Sequence, residues 1–203
     1  MLFTIGHSTG TQEYFLYLLE AHDVHVLLDV RSVPYSRYAN QFNKNDLAPF
    51  LESHSISYFS AGKPFGARRD DARLYPQGYL DFELTRQTPI FQRGMEHVIA
   101  RLEASQNVAL MCTEKNPIDC HRAIMVARGF ELAGVEVQHI LQDATLLDQQ
   151  SLNAKLLDMY FPNHEQMSLF GEDNIDDMLR DAYRMQNQKI GYKPLDPSLN
   201  KED

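Results

Sequence analysis

The sequence predicts an α/β fold: a mostly parallel central sheet of about five strands, with helices on both faces, plus a C-terminal helical extension. Three observations carry this. From residue 2 to residue 140, short apolar runs alternate with segments whose apolar residues fall at helical spacing. The runs are apolar throughout, as strands buried on both faces require. Beyond Leu141 only helical spacing remains, so the chain divides into an α/β part, 1–140, and an acidic helical extension, 141–203.

Leu2 to Gly6 reads as a buried strand, and Phe15, Leu18 and Leu19 place a helix after Ser8-Thr9-Gly10-Thr11. Val24 to Val30 is a second strand, followed by a polar loop and a short helix near Leu47 to Ser53. Ile56 to Phe59 is a third. Residues 60–88, with Gly62, Pro64, Gly66, Pro76 and Gly78, read as one long irregular loop of the kind that is usually functional. Phe91, Met95, Val98, Ile99 and Leu102 form one helical face, with Thr88 as N-cap and Pro89 as first residue. Val108 to Cys112 is a fourth strand. Asn116-Pro117 then starts a helix expected to run without a break to Ala133, and Val135 to Ile140 is a fifth strand. Further helices are marked by Leu152, Leu156, Leu157 and Tyr160, and by Ile175, Met178, Leu179, Ala182 and Tyr183.

The 203 residues carry a formal charge of -9. Residues 1–140 hold 13 basic against 16 acidic side chains, and residues 141–203 hold 6 against 12. A protein that simply coats nucleic acid is excluded, because that binding rests on excess Lys and Arg, yet a locally basic cleft in the first part is allowed. No stretch reaches the roughly 20 apolar residues of a membrane span, and MLFTIGHSTG lacks the pattern of a secretion signal. Two cysteines are too few for a disulfide scaffold, so a cytoplasmic location is expected.

Ligands of open parallel sheets bind beyond the carboxyl ends of the strands. Those ends are polar here: Gly6-His7-Ser8, Asp29-Val30-Arg31-Ser32 and Cys112-Thr113-Glu114, with Cys120-His121-Arg122 in the early turns of the helix that Asn116 caps. Two carboxylates, two imidazoles and two guanidiniums suit acid/base chemistry on an anion. Asp29 or Glu114 would activate water, His7 or His121 would move a proton, and Ser8, Arg31, Ser36, Cys120 and Arg122 would contact substrate or phosphate. Structural ion pairs between Asp29 and Arg31, or between Glu114 and Arg122, are the competing reading. Arg68 and Arg69 in the long loop, with Phe65, Tyr75 and Tyr79 nearby, suit phosphates and bases. The seven residues between Cys112 and Cys120 match no common zinc ribbon or finger, so no metal is expected on the cysteines. A divalent cation on Asp29 and Glu114 is the one cofactor the carboxylates allow. No C-x5-R loop follows either cysteine, which disfavours a thiol phosphatase.

The motifs TIGHS at 4–8, DVRSVPYSR at 29–37 and LMCTEKNPIDCHR at 110–122, with HI at 139–140, resemble the family catalogued as domain of unknown function 488, over about residues 2–140. The resemblance implies a small α/β domain with a shared polar site at Gly6, His7, Ser8, Asp29, Arg31, Pro34, Ser36, Cys112, Glu114, Cys120, His121 and Arg122, and no established reaction. Lys63-Pro64-Phe65-Gly66 stands where such proteins often carry a Leu-Gly-Gly-like turn. In the extension, Gln166-Met167-Ser168-Leu169-Phe170 is similar to the pentapeptide by which bacterial polymerases and repair proteins dock on the sliding clamp. The expectation is therefore a hydrolase of nucleic acid or nucleotides, acting on a phosphodiester or N-glycosidic bond in DNA repair and recruited by the clamp. An enzyme acting on a small anionic metabolite, and a non-catalytic adaptor that binds nucleotides or DNA lesions, are the alternatives. No membrane partner is expected.

Overall fold

The computed structural model describes residues 1–163 and 175–194. Leu2–Gly6 (β1) is buried along its whole length and leads into Gln12–Glu20 (α1), where the Thr11 hydroxyl accepts from the Tyr14 amide as N-cap. Val26–Asp29 (β2), Lys44–Glu52 (α2) and Ser57–Ser60 (β3) follow. Next come Gly62–Phe65 (α3), Phe82–Arg86 (α4), Pro89–Glu103 (α5) and Val108–Cys112 (β4). Arg128–Leu132 (α6), Val137–Ile140 (β5), Leu146–Asp148 (β6), Gln149–Tyr160 (α7) and Ile175–Ile190 (α8) complete the described elements.

The strands form one sheet in the order β3-β2-β4-β1-β5-β6. The first five are parallel and β6 runs antiparallel to β5. The parallel sheet was expected; the sixth strand, beyond residue 140 where the pattern promised helices alone, was not. It arises because Asp143 accepts from the backbone and hydroxyl of Thr145, at 3.1 and 2.6 Å, and folds the chain back in a turn too short to register as a periodicity.

Phe15, Leu18 and Leu19 of α1 and Leu47 and Leu51 of α2 pack on Phe3, Ile5, Leu27 and Met111 of one sheet face. Phe91, Met95 and Val98 of α5, with Ile124 and Phe130, pack on Leu2, Val26, Leu28 and Leu110 of the other. Leu152 and Leu156 of α7 and Ala182 and Tyr183 of α8 belong to that second cluster, so the extension shares the core of residues 1–140. The connections leaving β1 and β2 and the one leaving β4 thus go to opposite faces. Strands that part in this way open a crevice beyond their carboxyl ends.

Two local differences from expectation shape that crevice. Residues 60–88 contain three short helical turns, Gly62–Phe65, Ala72–Leu74 and Phe82–Arg86, the latter two capped by Asp71 and Asp81. Asn187 of α8 pins the segment by accepting from Phe82 N and donating to Leu80 O, both at 2.8 Å. A contact 105 residues away leaves no local pattern. The second difference is in the helix expected from Asn116. Asn116 caps only the single turn Pro117–Asp119, and Cys120 is extended, with φ -132° and ψ 138°. A new helix starts beyond it, its Ala123 and Ile124 amides both donating to Cys120 O at 3.1 Å. Its first stretch, Arg122–Ala127, winds with i→i+5 hydrogen bonds before tightening into α6.

A buried polar chain ties α7 and α8 to the sheet. The Thr4 hydroxyl meets His139 Nδ1 at 2.8 Å, and His139 Nε2 meets Gln149 Oε1 at 2.9 Å. Gln149 Nε2 donates to the Tyr183 hydroxyl at 2.7 Å, which donates to Asn153 at 2.6 Å. Gln149 Oε1 only accepts, so the imidazole carries its proton on Nε2 and accepts from Thr4. Burial, then the charge of Arg122, lowers the His139 pKa from 6.5 to about 3. The unfolded chain therefore binds this proton at a pH where the native chain does not, and the associated stability is present above pH 6.5 and lost as pH falls toward 3. In wild type, this site should add about 1.4 kcal/mol per pH unit to the loss of stability on acidification near pH 5. Urea titrations of wild type and His139→Gln across pH 7 to 4.5 measure it; equal slopes in the two proteins would contradict the assignment.

Candidate active site

At the end of β2, Asp29 and Arg31 close on each other. Arg31 Nε donates to Asp29 Oδ1 at 2.9 Å and Nη2 to Oδ2 at 2.6 Å, while Nη2 also reaches Phe42 O at 2.7 Å. Its Nη1 donates to His7 Nε2 at 3.1 Å, and the Tyr58 hydroxyl donates to Asp29 Oδ2 at 2.6 Å. Both side chains are buried, with Asp29 1% and Arg31 6% exposed. His7 stacks on Phe42 at 4.3 Å and donates from Nδ1 to Ser8 O at 2.7 Å. Arginine only donates, so the His7 Nε2 lone pair is occupied, and burial with the charge of Arg31 lowers its pKa to about 4.

These positions differ from the expected roles. Asp29, Arg31 and His7, read as water activator, phosphate contact and proton carrier, instead hold one another and brace the turn after β2. A divalent cation at Asp29 would have to displace Arg31 and Tyr58 from its oxygens. Ser8 takes a positive φ of 52° and acts through its backbone, its amide donating to Thr113 O at 2.9 Å and its carbonyl accepting from His7.

Arg122, expected at a phosphate, is 0% exposed. It points under the loop after β4, donating from Nη1 to Glu114 O at 2.5 Å and from Nη2 to Lys115 O at 3.2 Å; its Nε is buried with no hydrogen-bond partner. Among the described residues it makes no ion pair. Gly6 permits the fit, since a Cβ there would lie 1.9 Å from Glu114 O. The same loop continues the β1–β4 ladder, with His7 N donating to Cys112 O at 3.0 Å, and so closes the crevice on the β1 side.

On the β2 side the crevice stays open. A cavity of about 360 Å³ is lined by Arg31, Ser32, Val33, Tyr35, Ser36, Ala67, Arg68, Cys112, Thr113, His121 and Tyr192. A second, of about 580 Å³, adjoins it through the shared walls Ser32 and Arg68. Arg68 is exposed and lies 4.9 Å over the Tyr192 ring, with no ion pair among the described residues. Ser36 is half-buried, and its hydroxyl accepts from Tyr38 N at 3.1 Å. Arg69 serves structure instead: its Nη1 and Nη2 hold the carbonyls of Lys63 and Pro64, and burial lowers its pKa.

The cysteines meet at the base of this cavity. His121 Nε2 lies 3.2 Å from Val30 O, which only accepts, so Nε2 carries the proton and the Nδ1 lone pair faces Cys112 Sγ at 3.7 Å and Cys120 Sγ at 4.0 Å. The three atoms lie within 4.8 Å of one another. Both cysteines are buried free thiols, and His121 is half-buried. The hydrogen bond to Cys120, then burial, pushes the Cys112 thiol up. Burial also pushes Cys120 up, but the hydrogen bond from Cys112 and the charge of Arg122 outweigh it and bring Cys120 down. Glu114, next to the cavity-lining Thr113, is exposed, and its pKa is raised by partial burial and then by Cys120.

The sequence-chosen residues Arg31, Ser36, Arg68, Cys112 and His121 therefore share one cavity, with Cys120 behind it and Glu114 beside it. His7 and Asp29 reach it only through Arg31. Gln166, Met167, Ser168, Leu169 and Phe170 lie outside the described residues. Sequence reasoning missed Tyr58, Phe42 and Tyr192. Tyr58 is the buried residue of an otherwise exposed edge strand, a pattern that points it inward. Tyr192 has no such signal, being carried to the cavity by α8.

Among the described residues no helix is long and apolar enough to cross a membrane. No curated protein and no solved structure matches the chain. The family model described as Domain of unknown function DUF488 matches residues 11–128, which spans β2, β4 and every cavity-lining residue except Tyr192. By that match over more than half its length, the chain belongs to the DUF488 family.

Proposed function

We propose that the chain is a cytoplasmic hydrolase of nucleic-acid metabolism that holds a phosphate-bearing substrate, a nucleotide or a piece of nucleic acid, in the cavity between β2 and the Arg68 segment. The observation that carries this reading is Arg68: an exposed guanidinium with no carboxylate partner among the described residues, poised over Tyr192 on a wall shared by two cavities. A cation so placed favours an anion, and the hydroxyls of Ser32, Ser36 and Thr113 offer further hydrogen bonds. Tyr35, 63% exposed on the same wall, offers a face on which a base stacks. The bond to be broken lies at the Cys112–His121 end, where the Glu114 carboxylate serves as the base for water. The Asp29–Arg31–His7 group fixes the β2 turn, and of the three only Arg31 borders the cavity. The free thiols of Cys112 and Cys120 accord with a reducing compartment.

In a panel of nucleotides and damaged oligonucleotides, Arg68→Ala should weaken binding about tenfold or more, the loss of one charged hydrogen bond. Glu114→Gln should bind normally and turn over about a hundredfold slower or worse. Binding by wild type with no turnover anywhere in the panel would replace the enzyme with an adaptor, and turnover indifferent to Arg68→Ala would remove the cavity from the reaction.

We also propose that Gln166-Met167-Ser168-Leu169-Phe170 recruits this activity to the DNA sliding clamp, and that the site of action is replication or repair. The support is the pentapeptide's resemblance to clamp-binding segments. On immobilised clamp, removing both apolar anchors with Leu169→Ala/Phe170→Ala should weaken binding about thirtyfold, corresponding to ~2 kcal/mol. Equal binding by wild type and variant would end the recruitment idea.

A further inference from the structure

We propose that Cys112, Cys120 and His121 form a tetrahedral zinc site whose fourth position opens into the substrate cavity. The spacing along the chain hid this arrangement. Cys112 ends β4 and Cys120 caps the next helix, and the turn Pro117–Asp119 between them doubles back so that sulfurs eight positions apart face one imidazole.

The geometry suits the ion. With Zn–S near 2.3 Å and Zn–N near 2.0 Å, a tetrahedral site sets its sulfur and nitrogen ligands about 3.6 Å apart. His121 Nδ1 lies 3.7 Å from one sulfur and 4.0 Å from the other. Those distances are long for a hydrogen bond that orders a thiol and close to the edges of a tetrahedron. The imidazole is also prepared as a ligand: its Nε2 proton is given to Val30 O, which fixes the ring and leaves the Nδ1 lone pair aimed at the sulfurs. Two thiolates and one imidazole are the soft and borderline donors that zinc selects, and a set of three protein ligands is what zinc enzymes use when the fourth position takes water or substrate.

Two further features say where that position lies and what it prefers. Cys112 and His121 are walls of the 360 Å³ cavity and Cys120 is not, so the open side of the triad faces the cavity. Two thiolates cancel the charge of a zinc ion, yet Arg122 remains a fully buried cation with no ion pair among the described residues. A buried charge calls for a compensating one, so an anion is favoured on the open position. The metal site stands on its three ligand atoms; only the open position connects it to the hydrolase reading.

The test uses the full chain without tags, kept reduced, dialysed against chelator and titrated with Co²⁺ and then Zn²⁺. One equivalent of cobalt should develop thiolate charge-transfer absorption and the intense visible bands of a tetrahedral site, and one equivalent of zinc should abolish both. Cys112→Ser and Cys120→Ser should lose the charge-transfer band in proportion, and His121→Asn should weaken the metal at least about tenfold. A second measurement needs no variant: zinc should slow alkylation of the wild-type thiols at least about tenfold, since a bound thiolate is a poor nucleophile. No thiolate–cobalt band in wild type, an undiminished band in both cysteine variants, or alkylation indifferent to zinc overturns the site. Metal binding without turnover keeps the site and sinks the hydrolase, while turnover by a chain that binds no metal sinks the site and keeps the hydrolase.

Discussion

The buried guanidinium of Arg122 is the constraint on which the crevice depends. A cation at 0% exposure must be met by hydrogen bonds, and here the acceptors are the carbonyls of Glu114 and Lys115 in the loop that follows β4. Meeting them pulls the loop down over β1, which only a glycine at position 6 allows. With the β1 side closed, the open part of the crevice is displaced toward β2. Cys112, His121 and Arg68 owe their common cavity to that displacement.

A second ionic group performs a different task. Asp29 and Arg31 share a bidentate pair buried under Tyr58 and Phe42, with His7 completing the set. Leaving either charge behind without the other would cost about 3–5 kcal/mol. The pair therefore acts as a rivet for the turn from Val30 to Ser36, and its value to the site is rigidity. Ser32 and Ser36 are presented to the cavity from that turn, and Val30 O orients His121.

Much of this was legible in the residues. Strands buried on both faces write themselves as apolar runs, and Thr88-Pro89 announced α5 because cap and first-turn preferences are local. The strand ends disclosed which polar side chains would gather, since a parallel sheet brings its carboxyl ends together whatever the intervening loops do. What stayed hidden depends on contacts distant in sequence. Arg31 and Arg122 differ from Arg68 in nothing the chain displays, and only the acceptors around them decide which cation faces solvent. Tyr192 reaches the cavity just past the end of α8, and Asn187 orders residues 80–82 from more than a hundred positions away. The break at Cys120 was hidden for another reason: Asn116-Pro117-Ile118-Asp119 is a sound helix start, and nothing local says the helix lasts one turn.

The i→i+5 stretch from Arg122 to Ala127 carries a consequence for how this site can be altered. Such a stretch accommodates one more residue than an α-helix of the same span, and helices hold these insertions chiefly where function benefits. Removing a single residue from the middle of it would let the helix relax to ordinary winding over the same span, so Cys120, His121 and Arg122 would keep their places at the crevice. The same deletion within α6, where no slack is stored, would swing everything on its N-terminal side by about 100°. The loose winding beside the site is thus a length of chain that can lose a residue while the chemistry at the sheet edge is kept.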